Sequence, residues 1–359
     1  MSMKPYNLEV FSPSFALNYH TNINNPGFKE DYLAGDTSQV QVPMSKAISK
    51  GDYIRISRDD YEFVGVVNGV SDDKLLTTIS YSSILSRFDT PVLYNTTLSY
   101  LSEPLENVIR DIFLNNWTGV ITDTYQNIDG LSCTTTSSTT DWALDIDEDE
   151  EIAYVVVSSF LEDIIRQAFT KYYIRVLPHL DVNAKTLAME IGVNAAAKRT
   201  IEADLPNIID KTFVLKESDE DVNKVVLYDR TNMTGNPIVY YRLTTGMMSQ
   251  DATQNRITPV VRDVQILDVP DDSSFADEAY YAALDTFSGL EFNNNIELSM
   301  ANDDGLIKPY EMEIGQTVEI LHDGTLYTSI LTGKEVGTYT RLIFGKLRLD
   351  LTKILRRRT

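Results

Sequence analysis

GDYIRISRDDYEFVGVVNG, residues 51–69, aligns without a gap on GQTVEILHDGTLYTSILTG, residues 315–333. The identities are few: Gly51/Gly315, Ile56/Ile320, Asp59/Asp323 and Gly69/Gly333. The pattern match is tighter. Ile54 and Ile56 share one face of a strand, as Val318 and Ile320 do, because strand side chains alternate with period two. A polar turn follows, Arg58-Asp59-Asp60 or His322-Asp323-Gly324. Asp-Gly suits a two-residue hairpin turn, which needs positive φ at its centre. The return strand then places Phe63, Gly65 and Val67 on one face, with Tyr327, Ser329 and Leu331 at the matching positions. The pattern predicts one β-hairpin used twice, near each end of the chain, each copy inside a small twisted barrel.

Outward from the first copy, residues 5–11, 40–43 and 75–81 read as strands, 82–88 as a short polar-apolar segment and 91–98 as extended chain. Residues 20–37 are rich in Asn, Gly and Asp and predict a loop. Residues 1–98 are therefore expected to form a first tube-like β-domain. The texture changes at Ser99. Ser102 is placed to cap a helix with Pro104 in its first turn, and Leu105, Val108, Ile109, Ile112 and Phe113 mark one helical face. Residues 117–122 read as the next strand, and 126–141, with a Ser/Thr run, as a loop or hairpin. A second helix starts near Ser159, which has capping-box spacing to Glu162; its apolar face is Leu161, Ile164, Ile165, Ala168 and Phe169. LENVIRDIF (105–113) matches LEDIIRQAF (161–169) in Leu, Glu, Ile, Arg and Phe. The matched Glu106/Glu162 and Arg110/Arg166 are also i, i+4 pairs of favoured polarity. An α/β middle region, 99–215, with a duplicated helix–strand unit is the expectation.

Strands are expected within 173–193 (two), at the end of 206–215, and at 225–227, 238–243 and 260–267. Residues 216–270 serve as a connecting β segment. Ser274 caps a third helix, 275–287, with Asp277 and Glu278 in its first turn, where the helix dipole favours acids. Strands at 295–300 and 339–346 flank the second hairpin, so 271–359 is expected to be a second tube-like β-domain with a basic tail. The fold class is α+β, β-dominant: two related small β-barrels flanking an α/β region.

The 359 residues carry a net charge of −22, and 43% are apolar. That charge repels nucleic acid and anionic membranes, and a wall past which DNA slides without sticking is one use for it. The exception is the C-terminus, where Arg356, Arg357 and Arg358 are candidate partner-binding residues for an acidic neighbour. A single cysteine, Cys133, allows no internal disulfide and fits a reducing compartment. The N-terminal stretch has no apolar core of a secretory signal, and no apolar run is long enough to span a bilayer. No His-Glu-x-x-His, Gly-x-Ser-x-Gly or phosphate-binding glycine loop is present. The three histidines, His20, His179 and His322, fall in a loop, beside a proline and in a hairpin turn. Asp145, Asp147 and Asp149 alternate as calcium ligands do, but Glu150 stands where a calcium loop needs glycine, so 145–151 reads as a solvated acidic loop. No catalytic, cofactor-binding or metal residue is assigned, and an enzyme is not expected.

The ordered set of features resembles phage tail hubs: the baseplate-hub proteins of contractile tails and the hub-forming N-terminal region of siphophage tail-associated lysins. The residues that carry the resemblance are the hairpin 51–69, the helix–strand middle, and IKPYEMEIGQTVEILHDGTLYTSIL followed by LIFGKLRLDLTKIL. It spans most of the chain as texture and order rather than as an invariant motif. It implies a structural virion protein in which three subunits present six similar β-domains to a hexameric tail tube. The implied partners are two further copies, the tail tube or distal tail protein, and a tail-tip, fibre or tape-measure protein. DNA would pass through without specific binding, and assembly would occur in the host cytoplasm, with no membrane anchor. Many such hubs carry a lytic domain after the hub; this chain ends at Thr359, which implies that such a domain is missing or on another protein. No catalytic residue is carried over. Two other readings stay open: a different tail-tip component, such as a distal-tail adaptor or carbohydrate-binding protein, and a cell-wall hydrolase.

Overall fold

The structure is a computed structural model. It describes residues 5–33, 37–59, 61–73, 75–95, 103–118, 127–138, 154–157, 159–194, 197–214, 222–243, 248–253, 260–270, 273–287, 294–345 and 347. Contacts divide the chain into one unit of residues 1–213 with 295–359, and a second of residues 214–294.

The first unit opens with seven strands: β1 (Tyr6–Phe11), β2 (Leu17–Ile23), β3 (Phe28–Asp31), β4 (Ser38–Pro43), β5 (Tyr53–Arg58), β6 (Tyr61–Asp73) and β7 (Leu76–Ser83). Six of them form a curled antiparallel sheet in the order β2-β1-β5-β6-β7-β4. Its inner face is the alternation read from the sequence: Leu8, Val10, Ile54, Ile56, Phe63, Val67, Ile79 and Tyr81 are buried together. The stretch 20–37, expected to be a loop, instead holds the end of β2 and all of β3. β2 pairs with β1 through a register shift at Val10/Phe11. β3 is short; its backbone pairs outside this sheet, but Phe28 stays buried in the sheet's core.

A 3-10 turn (Ile84–Phe88) leads to the middle region of β8 (Val92–Asn95), α1 (Leu105–Trp117), β9 (Leu131–Thr135), β10 (Tyr154–Val157), a π-helical turn (Phe160–Ile165), α2 (Arg166–Tyr172), β11 (Ile174–Asp181) and β12 (Thr186–Val193). The apolar face of α1 is buried as expected. Phe88, Phe113, Trp117 and Phe160 close on one another edge-to-face or tilted, with centroids 4.8–5.7 Å apart, a geometry favoured by the ring quadrupole. Trp117 ends the helix instead of starting a strand, and 119–126 lie outside the described residues, so only the second helix is seen running into its strand. The Ser159 hydroxyl donates to the Asp89 carboxylate at 2.8 Å; the Glu162 side chain of the expected capping box lies outside the described residues. Arg110 is bonded to Asn107 and Asp111, while buried Glu106 accepts from Ser137 at 2.7 Å. The i, i+4 pairing expected for Glu106 and Arg110 is therefore replaced. The Ser/Thr-rich stretch holds β9, which lies parallel to β12, itself paired with β11.

β13 (Arg199–Glu202) and β14 (Ile208–Val214) follow. The second unit contains β15 (Lys224–Asp229), β16 (Ile238–Arg242), β17 (Met248–Ser249), β18 (Arg262–Leu267) and α3 (Phe275–Phe287). Its sheet order is β17-β16-β15-β18. Ala279, Ala283 and Phe287 of α3 bury against Val225, Leu227 and Tyr240. Ser274 caps this helix, its Oγ accepting from the Asp277 N–H at 3.2 Å.

The chain returns to the first unit with β19 (Asn295–Met300), β20 (Thr317–His322), β21 (Thr325–Val336) and β22 (Thr340–Gly345). These form a second curled sheet in the order β13-β20-β21-β22-β19-β14. Among the described residues the fold is β-dominant with three α-helices, and no helix is long and apolar enough to cross a membrane.

Candidate functional site

The duplication is structural and extends past the hairpins. β4-β5-β6-β7 and β19-β20-β21-β22 run in the same chain order and the same sheet order, hairpin strands at one side and the preceding strand at the other. Ile54 faces Gly65 as Val318 faces Ser329, and Ile56 faces Phe63 as Ile320 faces Tyr327. Both copies enter through a glycine at positive φ, Gly51 at 93° and Gly315 at 84°, a region open to glycine without steric cost. Gly51 N–H donates to Val67 and Gly315 N–H to Leu331, at 2.8 and 2.7 Å. The side chains of Asp52 and Gln316 both accept from the backbone three residues earlier. Asp59 and Asp323 both turn at positive φ. Both return strands shift register at one place, Val67/Gly69 and Leu331/Gly333.

The two hairpin tips carry a basic or titratable group at the same position, Arg58 and His322. The buried Arg58 guanidinium donates to the Asp303 carboxylate and lies over the rings of Tyr6 and Tyr310 at 5.2 and 5.3 Å. This fastens the first hairpin to the loop that precedes the second. His322 sits with Nδ1 2.7 Å from Asp204 and stacks on Phe213 at 4.0 Å. The Lys211 ammonium, the Asp323 N–H and His322 hold the Asp204 carboxyl far below the usual carboxylate range. Asp204, His322 and Asp323 place donor atoms within 4.8 Å of one another, but Asp204 is already committed to Lys211.

The copies differ at the edge of their return strands. In the second copy, Gly333–Val336 of β21 pair antiparallel with Asp31–Phe28 of β3, so the N-terminal module contributes a strand to the C-terminal sheet. Tyr32 N–H continues that ladder to the Thr332 carbonyl. Beneath it the fully buried Lys334 ammonium lies 3.8 Å from Glu30 and over Tyr61 at 4.5 Å, and Tyr61 donates to Glu30 at 2.7 Å. Burial pushes Lys334 down and Tyr61 up. A cleft of about 780 Å3 opens here, lined in part by Tyr61, Arg175, His179, Tyr310 and Lys334. Its charges are used as braces: Arg175 binds Glu313 and the Ile314 carbonyl. His179 Nδ1 lies 3.3 Å from the Glu62 carboxylate, which raises its pKa.

Other residues singled out in the sequence are not brought together. His20 is on β2, 2.6 Å from Asn7, instead of in a loop. Cys133 is half-buried on β9, and burial pushes its thiol up to about 12, so it is neutral at pH 7. Arg356–Arg358 and the acidic run 145–151 lie outside the described residues. Sequence reasoning missed β3 and the Arg58–Asp303 contact; Asn302-Asp303-Asp304-Gly305 signals only a turn.

No family model matches the chain, and no curated protein matches it. Solved structures do. The 43 kDa tail protein of prophage MuSo2 from Shewanella oneidensis superposes at a TM-score of 0.51 with 12% identity, over 96% of this chain and 98% of that one. The chain has the fold of a phage tail protein. Prophage tail protein gp18 from Listeria monocytogenes EGD-e reaches 0.49 with 14% identity over 98% and 97% of the two chains. A chain of the phage P2 baseplate in its activated conformation with Ca reaches 0.43 with 11% identity, over 94% of this chain and 98% of that one.

Proposed function

We propose that this chain is a structural hub of a phage tail, a trimer that joins the hexameric tail tube to the tail tip. The observation that carries the reading is the duplicated four-strand kernel, 38–83 and 295–345, inside one chain with a tail-protein fold. Closed rings repeat the same contacts around an axis. Two related modules per subunit let three subunits offer six similar surfaces to a sixfold tube. The strand and the Arg58 contact that join the two modules hold them as neighbours, as successive positions of a ring require. The acidic charge suits the wall of a channel through which DNA slides. Docking of Arg356–Arg358 on an acidic neighbour belongs to the same reading.

The test is the mass of the purified protein in solution, alone and with the tube protein of the same tail. Three 40.5-kDa chains are expected, alone or on the tube. A protein that stays a monomer in both conditions overturns the reading.

A further inference from the structure

The second copy buries the edge that the first copy leaves open. By the constant offset between the copies, Gly333–Val336 corresponds to Gly69–Asp72. In the second copy β3 occupies this edge; in the first, among the described residues, no strand pairs with it. Lys334 and Val336 are buried, whereas Val70 is half-buried and Ser71, Asp72 and Asp73 are exposed. The glycines show the same contrast. A Cβ on Gly333 would meet Asp31 Oδ1 at 2.3 Å, and a Cβ on Gly69 would meet nothing within 4 Å. Because Tyr32 N–H reaches the Thr332 carbonyl, alternate residues from Thr332 turn their backbone groups toward β3. The matching residues are Asn68, Val70 and Asp72, whose backbone groups therefore face the open edge.

We propose that the Gly69–Asp72 edge of β6 is an assembly site that takes an extended strand from a second copy of this chain. The proposal rests on the hub reading. If modules alternate around a ring, first to second within a chain and second to first between chains, each module edge meets a neighbour. The contact inside the chain shows what the neighbour supplies: a short strand added antiparallel beyond the bulge. An unpaired edge is a template for such addition.

Hydrogen exchange on the full chain tests this, comparing dilute monomer with assembled protein. The amides of Val70 and Asp72 should slow on assembly by about tenfold or more, equivalent to ~1.4 kcal/mol of added protection. Gly69→Val gives a second reading. Its side chain enters open space, so the monomer keeps its fold by circular dichroism, but it should assemble at least about tenfold more weakly, because the incoming strand needs that space. An assembled trimer whose Val70 and Asp72 amides exchange as in the monomer, or a folded Gly69→Val protein that assembles as the parent does, overturns this inference and leaves the hub. Protection that appears only with the tube protein overturns the choice of a second copy. A chain that never self-associates, alone or on the tube, overturns both.

Discussion

The same substitution made in the two copies should have opposite effects. Neither Gly69 nor Gly333 has the positive φ that would forbid alanine, so backbone strain does not enter. At Gly333 the added methyl lands 2.3 Å from Asp31 Oδ1 and 3.3 Å from Ile343 Cδ1. Asp31 is buried and sits on β3, so relief requires shifting a buried carboxylate or the strand itself. Overpacking of this kind costs about 1–3 kcal/mol. Alanine returns about 0.4–1 kcal/mol by restricting the unfolded chain, leaving, from the middle of the overpacking range, a net loss of about 1–2 kcal/mol. At Gly69 only the gain remains. A domain of this size shifts its Tm by about 2–4 °C per kcal/mol. Gly333→Ala should therefore melt about 2–8 °C lower, and Gly69→Ala level with the parent or up to about 4 °C higher. The assay is thermal melting followed by circular dichroism on dilute protein, with urea titrations to confirm unchanged m-values. Equal losses at both positions, or a larger loss at Gly69, would refute the reasoning.

Arg58→Met removes a guanidinium shared by Asp303, Tyr6 and Tyr310. Asp303 keeps about a third of its side-chain exposure and can hydrate, so the loss should be about 2 kcal/mol, below the ~3–5 kcal/mol of a fully buried pair. A double-mutant cycle with Asp303→Asn should give a coupling of about 1 kcal/mol; a value under ~0.3 kcal/mol counts against the contact. Lys334 has a folded pKa lowered first by burial, against the pull of Glu30. The unfolded chain then holds more protons between the lowered value and the ordinary one, so stability rises as pH climbs through that window. Below pH ~10, before tyrosines ionise, urea titrations should show that rise in the parent and not in Lys334→Met. Matching pH slopes in the two proteins would rule out a buried lysine that titrates this way.

What was legible in the sequence followed from local rules. Gly51 and Gly315, Asp59 and Asp323, and the alternation around Ile54 and Val318 report dihedrals and burial set within the hairpin itself. The α1 face and the Ser274 cap were readable for the same reason. What stayed hidden depends on partners far along the chain. Phe28–Asp31 has no alternation of its own; it is a strand because β21 offers it a ladder. The Ser/Thr-rich β9 is a strand because β12 lies beside it in parallel. The bond from the Ser159 hydroxyl to Asp89 joins residues 70 apart in the chain. Glu106 looked like the exposed half of a helical ion pair and is instead buried against Ser137. For the site, the duplicated tips could be aligned in advance, but that Arg58 meets Asp303 and His322 meets Asp204 needed the folded chain.

The loan of β3 has a consequence for how the protein comes off the ribosome. β3 is made well before the edge it completes. Phe28 can pack into the nascent N-terminal core, while the backbone ladder of β3 waits for β21 to be synthesised. Such a far-apart pairing is slow to find, and its arrival reports that both modules have been made. Only then are the two modules joined through a shared strand.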